Sequence, residues 1–319
     1  MIVYVATPRN LFTLREFIED NPDRLASRIR LVGYNKLFRQ TSLPKATYIF
    51  SDLERLTVPG LQIIASIWKQ LAASDPDIRL VNDPLRVKRR YEMLRHLYAQ
   101  GINSFNVQRA ADVVSGCRFP VFLRCESDHF GPTSALIENE TDLVAAIDGL
   151  ATHGASRDNH IVTEFCGAPD DTGAYVKYGC FRVGDRIMPQ NRLVGRQWCV
   201  KKFEYFDETV IARDLAYIKS TEHNEAVRRV FDIAEVEYGR VDYSIVNGRL
   251  EFYELNTNPH NSYREMDDIP ESRDYFTPIF IDALLALDCP ADPKERVTIE
   301  PLEPPTTYLP PIGTPGTQT

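Results

Sequence analysis

The sequence predicts an α/β protein: a small N-terminal layer of the Rossmann-like kind, then a larger unit of mixed α and β lobes. Three observations predict it. Strand-like and helix-like patterns alternate over the first 84 residues, a helix-entry signal stands at Asn82-Asp83-Pro84, and two alternating strands flank Asn247-Gly248 late in the chain. Strand–helix alternation packs as a largely parallel layer, whereas an Asn-Gly turn joins antiparallel neighbours.

In order, Ile2 to Ala6 reads as a buried strand, and Arg30 to Tyr34 and Thr47 to Phe50 as two more. Leu61, Ile64, Ile67, Trp68 and Leu71 recur at helical spacing before a fourth strand at Ile78 to Val81. Asp83 then caps a helix that Pro84 opens, with Val87, Tyr91, Leu94 and Tyr98 as its buried stripe and Gly101 as its end. Pro120 to Arg124, His160 to Phe165 and Tyr175 to Val183 read as strands, and Thr141 to Ile147 as a short helix. Val227, Val230, Phe231 and Ala234 mark another helix, the hairpin spans 240–256, and a last helix covers 273–287. From residue 290 the chain becomes Pro-rich, an extended and partly disordered tail that packs on the surface where it is ordered.

Composition narrows the function. The 319 residues carry a net charge of −8, which argues against a general nucleic-acid or anionic-membrane binder. No apolar run approaches the length of a membrane span, and the start lacks the basic region of a signal peptide. Six scattered cysteines contain no CxxC pair, so the expectation is a soluble, cytoplasmic protein with reduced thiols. The dinucleotide GxGxxG and the phosphate-binding GxxxxGK[ST] are both absent, and the six histidines are dispersed.

The hairpin carries the chemistry. Alternation puts Arg240 with Asp242 on one face of the first strand, and Glu254 with Asn256 on one face of the second. Two carboxylates and a carboxamide make an all-oxygen set suited to Mg²⁺. Strand parity adds a condition. A two-residue loop pairs Val246 with Arg249, which sets Asp242 opposite Tyr253 and turns Glu254 away. A shared ion therefore requires a three-residue loop over 247–249 or a bulge in one strand. The alternative is an edge hairpin whose acids are simply solvated.

Arg240-x-Asp242 followed by Glu254-x-Asn256-x-x-Pro259 resembles the metal-binding end of the ATP-grasp superfamily. Within it the chain is similar to glutathione synthetase, D-alanine–D-alanine ligase and the ligases that add glutamate to protein tails. Asn82-Asp83-Pro84, the strand ending at Arg124 and the strand Ile161 to Phe165 follow in the same order, so the resemblance covers residues 82–288. It implies an ATP-grasp fold divided as an N-terminal domain over 1–84, an ATP-grasp domain over 85–289 and a tail over 290–319. The small lobe of the ATP-grasp domain would span about 85–164 and its large lobe about 165–289.

The resemblance also implies roles. Asp242, Glu254 and Asn256 would hold one or two Mg²⁺ bridging the phosphates of ATP, and Arg240 would stabilise the transferring phosphoryl group or a later oxyanion. Glu164 and Phe165 would line the adenine and ribose pocket, and Lys177 would face the phosphates; Glu164 reads equally as a strand acid at the surface. The chain departs from the family at the two usual phosphate lysines, which fall at Met93 and Arg124. Arginine holds phosphate bidentately, so Arg124 can serve. Arg90, one turn before Met93, either reaches in or belongs with Arg89 to a solvated face. The phosphate-covering loop over 126–134 has a single glycine, and its His129 reads as an ordinary loop residue or a contact. Arg192, Trp198, Lys201 and Lys202 are candidates for the acceptor side, and Arg264, soon after the hairpin motif, reads equally as a clamp on a substrate carboxylate or as a surface arginine.

The implied activity is an ATP- and Mg²⁺-dependent carboxylate–amine ligase working through an acyl phosphate on small-molecule or peptide substrates. A phosphotransferase with a hydroxyl acceptor, or a nucleotide-binding module without turnover, fits the same residues.

Overall fold

The computed structural model describes residues 1–112, 115–152, 154–202, 204, 207–261 and 269–300; Arg264 and the tail from 301 onward lie outside them. The N-terminal domain runs β1 (Ile2–Ala6), α1 (Phe12–Asp20), α2 (Pro22–Leu25), β2 (Ile29–Gly33), α3 (Tyr34–Leu37), β3 (Ser42–Pro44), β4 (Thr47–Phe50), α4 (Val58–Ser74) and β5 (Leu80–Val81). Its four-stranded sheet has the order β2-β1-β4-β5 with every pairing parallel. The central strands β1 and β4 are buried throughout, as a sheet covered on both faces requires. The strand expected from Ile78 begins only at Leu80, because Ile78 donates its N–H to the Asp75 carbonyl in a turn. The order places a topological switch point at the carboxyl ends of β1 and β4.

Asn82 joins this domain to the rest. It is fully buried with φ of 65°, a left-handed conformation that Asn tolerates. Its Nδ2 donates to the carbonyls of Phe50 and Tyr238, and its Oδ1 accepts from the N–H groups of Glu237 and Tyr238. The helix expected from Pro84 starts later, as α5 (Arg90–Ala99). Asp83 caps only a turn, and the bond from Lys88 N–H to the Ala234 carbonyl holds the chain extended up to Arg89. The buried face is consequently Arg90, Met93, Leu94 and Leu97, and Tyr98 is exposed.

The small lobe continues with β6 (Val107–Arg109), β7 (Val121–Cys125), α6 (Glu140–Thr152) and β8 (His160–Glu164), an antiparallel sheet in the order β6-β8-β7. The large lobe holds β9 (Tyr175–Val183), β10 (Arg186–Gly195), α7 (Glu208–Lys219), α8 (Asn224–Ala234), β11 (Tyr238–Val246), β12 (Arg249–Asn256) and α9 (Pro270–Leu285). Its antiparallel sheet runs β10-β9-β11-β12. Strand β10 escapes sequence reading because Pro189 and three polar residues interrupt its pattern. It lies at the sheet edge with a bulge at Gln190, where a proline is tolerated. Beyond α9, β13 (Arg296–Thr298) pairs antiparallel with β3, so part of the tail is a strand on the N-terminal domain.

One hydrophobic core runs through Tyr4 and Phe17 of the N-terminal domain, Leu94 and Leu97 of α5, and Phe181, Tyr238 and Phe280 of the large lobe. The small lobe has its own core around Leu123, Leu143, Ile147 and Val162. Among the described residues no helix is long and apolar enough to cross a membrane.

Candidate active site

The hairpin turns through Asn247 and Gly248, both at positive φ, in a two-residue loop that pairs Val246 with Arg249. The register then shifts: Tyr243 faces Phe252, whereas Asp242 faces Glu254 and Arg240 faces Asn256. The bulge at Tyr253 is one of the two solutions that strand parity requires. It brings both carboxylates to one face.

Four cations converge on that face. Lys177 Nζ and Arg240 Nε each lie 2.9 Å from the Asp242 carboxylate. Glu254 Oε2 accepts from Arg90 at 3.1 Å and from Arg124 at 2.7 Å. Arg240 also donates to Gln190 Oε1. Gly179, opposite Asp242, admits these groups. A Cβ there would stand 2.6 Å from Asn191 Oδ1 and 3.4 Å from Arg240 Cδ. Arg90 opens α5 and is fixed by three carbonyls of the loop after β7, those of Cys125, Glu126 and Asp128. Among the described residues the buried Nε–H groups of Arg90 and Arg124 have no hydrogen-bond partner.

Three residues outside the predicted set complete the cluster. His129 bridges Glu54 Oε1 at 3.0 Å and Glu254 Oε1 at 3.4 Å, and Thr257 donates to Glu54 at 2.6 Å. Glu54 comes from the N-terminal domain, just past β4 at the switch point, and no local motif marks it. Asn256 accepts from the Asn258 N–H, and Asn258 in turn is held by Tyr4, Thr13 and the Asn10 carbonyl. The end of the hairpin is thus anchored in the N-terminal domain.

Burial pushes the Glu254 carboxyl up, but the Arg90 and Arg124 charges and the His129 bond outweigh it and hold the group well below the usual carboxylate range. Burial and the neighbouring Arg124 lower Arg90 to about 10. For His129, burial acts downward and the bonds to Glu254 and Glu54 prevail, raising it.

Glu164 and Phe165 lie at the other end of the β7–β8 pair, since Val121 pairs with Glu164 and Arg124 with Ile161. Three residues of strand separate them from the cluster by roughly 10 Å. The Glu164 carboxylate is buried and committed to Arg118 and the Asn106 N–H. Phe165 packs edge-on against Trp198, which also meets Phe122. Of the acceptor-side candidates, Arg192 is buried 3.8 Å from Asp170, Lys201 reaches Gly131 in the loop over 126–134, and Lys202 is exposed.

Among the described residues no group of three or more His, Cys, Asp or Glu side chains is placed to hold a metal unaided. Asp242, Glu254 and Asn256 offer hard oxygens on one face, so an ion there would complete its shell with phosphate oxygens and water, as Mg²⁺ does. The residues fit Mg²⁺ on that condition.

No protein-family model and no curated protein sequence matches the chain. Solved structures do. A D-alanine–D-alanine ligase from Bacillus anthracis, complexed with ATP, aligns with a TM-score of 0.53 at 13% identity over 90% of this chain and 95% of that one. The D-alanine–D-alanine ligase of Coxiella burnetii gives 0.53 at 10% identity over 90% and 94%. A RimK domain ATP-grasp protein from Sphaerobacter thermophilus gives 0.51 at 14% identity over 90% and 99%. The chain has the ATP-grasp fold. In this fold the charged cluster lies where β11 and β12 of the large lobe, α5 with the loop after β7, and the N-terminal domain meet.

Proposed function

We propose that this chain is an ATP- and Mg²⁺-dependent ligase that joins a carboxylate to an amine. The observation that carries the reading is the convergence of Arg90, Arg124, Lys177 and Arg240 on Asp242 and Glu254, with Glu54 joined to Glu254 through His129. A cationic excess in a partly buried cleft favours a polyanion. A triphosphate would take over contacts that the carboxylates now occupy, leaving Asp242, Glu254 and Asn256 to hold Mg²⁺. The bound ion supplies charge neutralisation on the phosphate oxygens. Arg90 and Arg124, with spare Nε–H donors, bind and orient phosphate. Arg240, steadied by Gln190, stabilises charge on the transferring group. Lys177 serves beside it. Phe165 is assigned to the adenine and ribose end, and Glu164 joins it through its main chain, because its carboxylate is already committed.

A substrate carboxylate oxygen attacks the γ-phosphorus, the bond to the bridging oxygen breaks and ADP leaves. The amine nitrogen then attacks the acyl carbon, phosphate departs, the nitrogen loses a proton to solvent and an amide remains. No side-chain nucleophile is needed. The fold likeness supports this reaction class, with small molecules or peptides as substrates.

Incubation with ATP, Mg²⁺, mixed amino acids and hydroxylamine tests the reading. Hydroxamate and ADP should form in equal amounts, and Asp242→Asn should lower kcat by about 100-fold or more. A stable phosphate ester formed without an amine would favour a hydroxyl acceptor. ATP binding with no ADP release for any carboxylate would leave a module without turnover.

A further inference from the structure

The small-lobe sheet gives one face to its own core and the other to the charged cluster. Val121 and Leu123 of β7 and Val162 of β8 pack with Leu143 and Ile147 of α6. Alternation therefore turns Phe122 and Arg124 to the opposite face, the one from which Arg124 reaches Glu254. Thr163 pairs directly with Phe122 and shares that face, and Phe165 follows two residues later. This end of the face is already occupied. Trp198, from the loop after β10 of the large lobe, lies on it with its ring centroid 5.1 Å from that of Phe122 and 5.6 Å from that of Phe165. The loop is closed on its own lobe, since Glu204 donates its N–H to the Val194 carbonyl and accepts from the Arg196 N–H.

Two observations say what this indole does. A base held between two aromatic faces needs them about 7 Å apart, twice a contact distance of about 3.5 Å. Trp198 and Phe122 stand closer than that and are tilted by 49°, so the indole fills the place rather than flanking it. Thr163, beside Phe122, is 4% exposed, and among the described residues its hydroxyl has no hydrogen-bond partner. A buried hydroxyl left unpaired next to packed rings suits a ligand that brings its own polar edge.

We propose that Trp198 sits in the seat of the nucleobase and that a purine nucleotide enters by displacing it, so that this side chain sets the affinity for nucleotide. The inference rests on the nucleotide part of the ligase reading, and it assigns Trp198 to that end rather than to the acceptor side. Indole and purine are both flat, fused two-ring systems, so the base takes over the contacts with Phe122 and Phe165. A purine also carries several hydrogen-bonding nitrogens where indole has a single N–H, and it gives Thr163 a partner. Arg124 lies about 7 Å along β7 from Phe122 by strand rise, so the exchange leaves the phosphate end in place. Apparent affinity is reduced by the fraction of molecules whose seat is open, and removing the indole removes that reduction.

The test uses the full-length protein. Calorimetric titration compares a non-hydrolysable ATP analogue with tripolyphosphate, which lacks the base, both with Mg²⁺. Trp198→Ala should bind the ATP analogue about five- to tenfold more tightly than the parent and tripolyphosphate equally well, with Trp198→Phe in between. A second readout leaves Trp198 in place. The other tryptophan, Trp68, packs on Phe50 in the N-terminal domain, and Trp68→Phe makes Trp198 the sole indole emitter. Its emission should shift to the red and open to acrylamide quenching as the ATP analogue saturates, and stay unchanged with tripolyphosphate. An ATP analogue that binds Trp198→Ala no more tightly than the parent, or that shields the indole further, would overturn the proposal and leave the nucleotide reading standing. An ATP analogue that binds neither protein would sink the nucleotide reading, and the proposal with it.

Discussion

Asp242 and Glu254 face each other across β11 and β12 because Tyr253 is bulged out of register between them. With regular pairing Asp242 would stand opposite Tyr253, and Glu254 would point to the other face. One extra residue therefore decides whether two carboxylates meet Arg90, Arg124, Lys177 and Arg240 together.

Replacing Glu254 with glutamine leaves Arg90 and Arg124 buried without their counter-charge. Unfolding free energy at pH 7 should drop by about 3–5 kcal/mol, the range for breaking a buried pair. The Glu254 carboxyl is held below its ordinary value of 4.5, so its contribution is present above that value and is lost as pH falls through the folded one. Urea denaturation of both proteins at pH 7 and pH 4 should show the gap narrowing in acid. A gap that does not change with pH would contradict the pairing.

Met93, where the sequence resemblance implies a phosphate-contacting lysine, is 1% exposed in the main core, whereas Arg90 reaches the cluster from the same helix. Met93→Lys should therefore destabilise by about 3 kcal/mol or more, since it buries an unpaired ammonium or forces it neutral. Arg90→Ala should instead weaken ATP-analogue affinity by tenfold or more, read by calorimetry. A lysine at 93 that tightened nucleotide binding would reverse this assignment.

Asn82 makes four hydrogen bonds between β4 and the start of β11 from a left-handed backbone. Asn82→Ala should cost about 2–4 kcal/mol, because four backbone groups lose their bonds inside the protein. Asn82→Gly keeps the conformation accessible and should recover only about 1 kcal/mol of that loss. Denaturation midpoints of the two variants separate the hydrogen bonds from the strain.

Asp214 on α7 is fully buried, and burial raises its carboxyl to about 6 despite bonds from Ser272 and the Arg192 N–H. The folded protein keeps this proton where the unfolded chain, near 3.8, has lost it. Stability should then fall as pH rises from about 4 to 6, by roughly 2–3 kcal/mol. Asp214→Asn should remove that slope, which denaturation at pH 4.5 and pH 7 measures directly.

Much of the molecule was legible in its residues. Periodicity located β1, β4, α4, β9 and α8, because alternation and helical spacing act over a few residues. Asn247-Gly248 marked its own turn, and Arg240, Asp242, Glu254 and Asn256 were readable as one set. The start of α5 was not, since Asp83 and Pro84 have the chemistry of a helix entry but a bond to Ala234 keeps the chain extended to Arg89. Strand β10 hid behind Pro189, which only an edge position accommodates.

The sequence by itself determined which groups are available: oxygen donors on a hairpin, arginines at 90 and 124, and a chain of alternating elements. Tertiary structure alone decided how they meet. The bulge at Tyr253 is a matter of strand register, and the Glu54–His129 contact joins residues 75 positions apart that share no local pattern. Local propensity acts through neighbours in the chain, whereas a site is built by packing and charge between segments brought together only when the core closes.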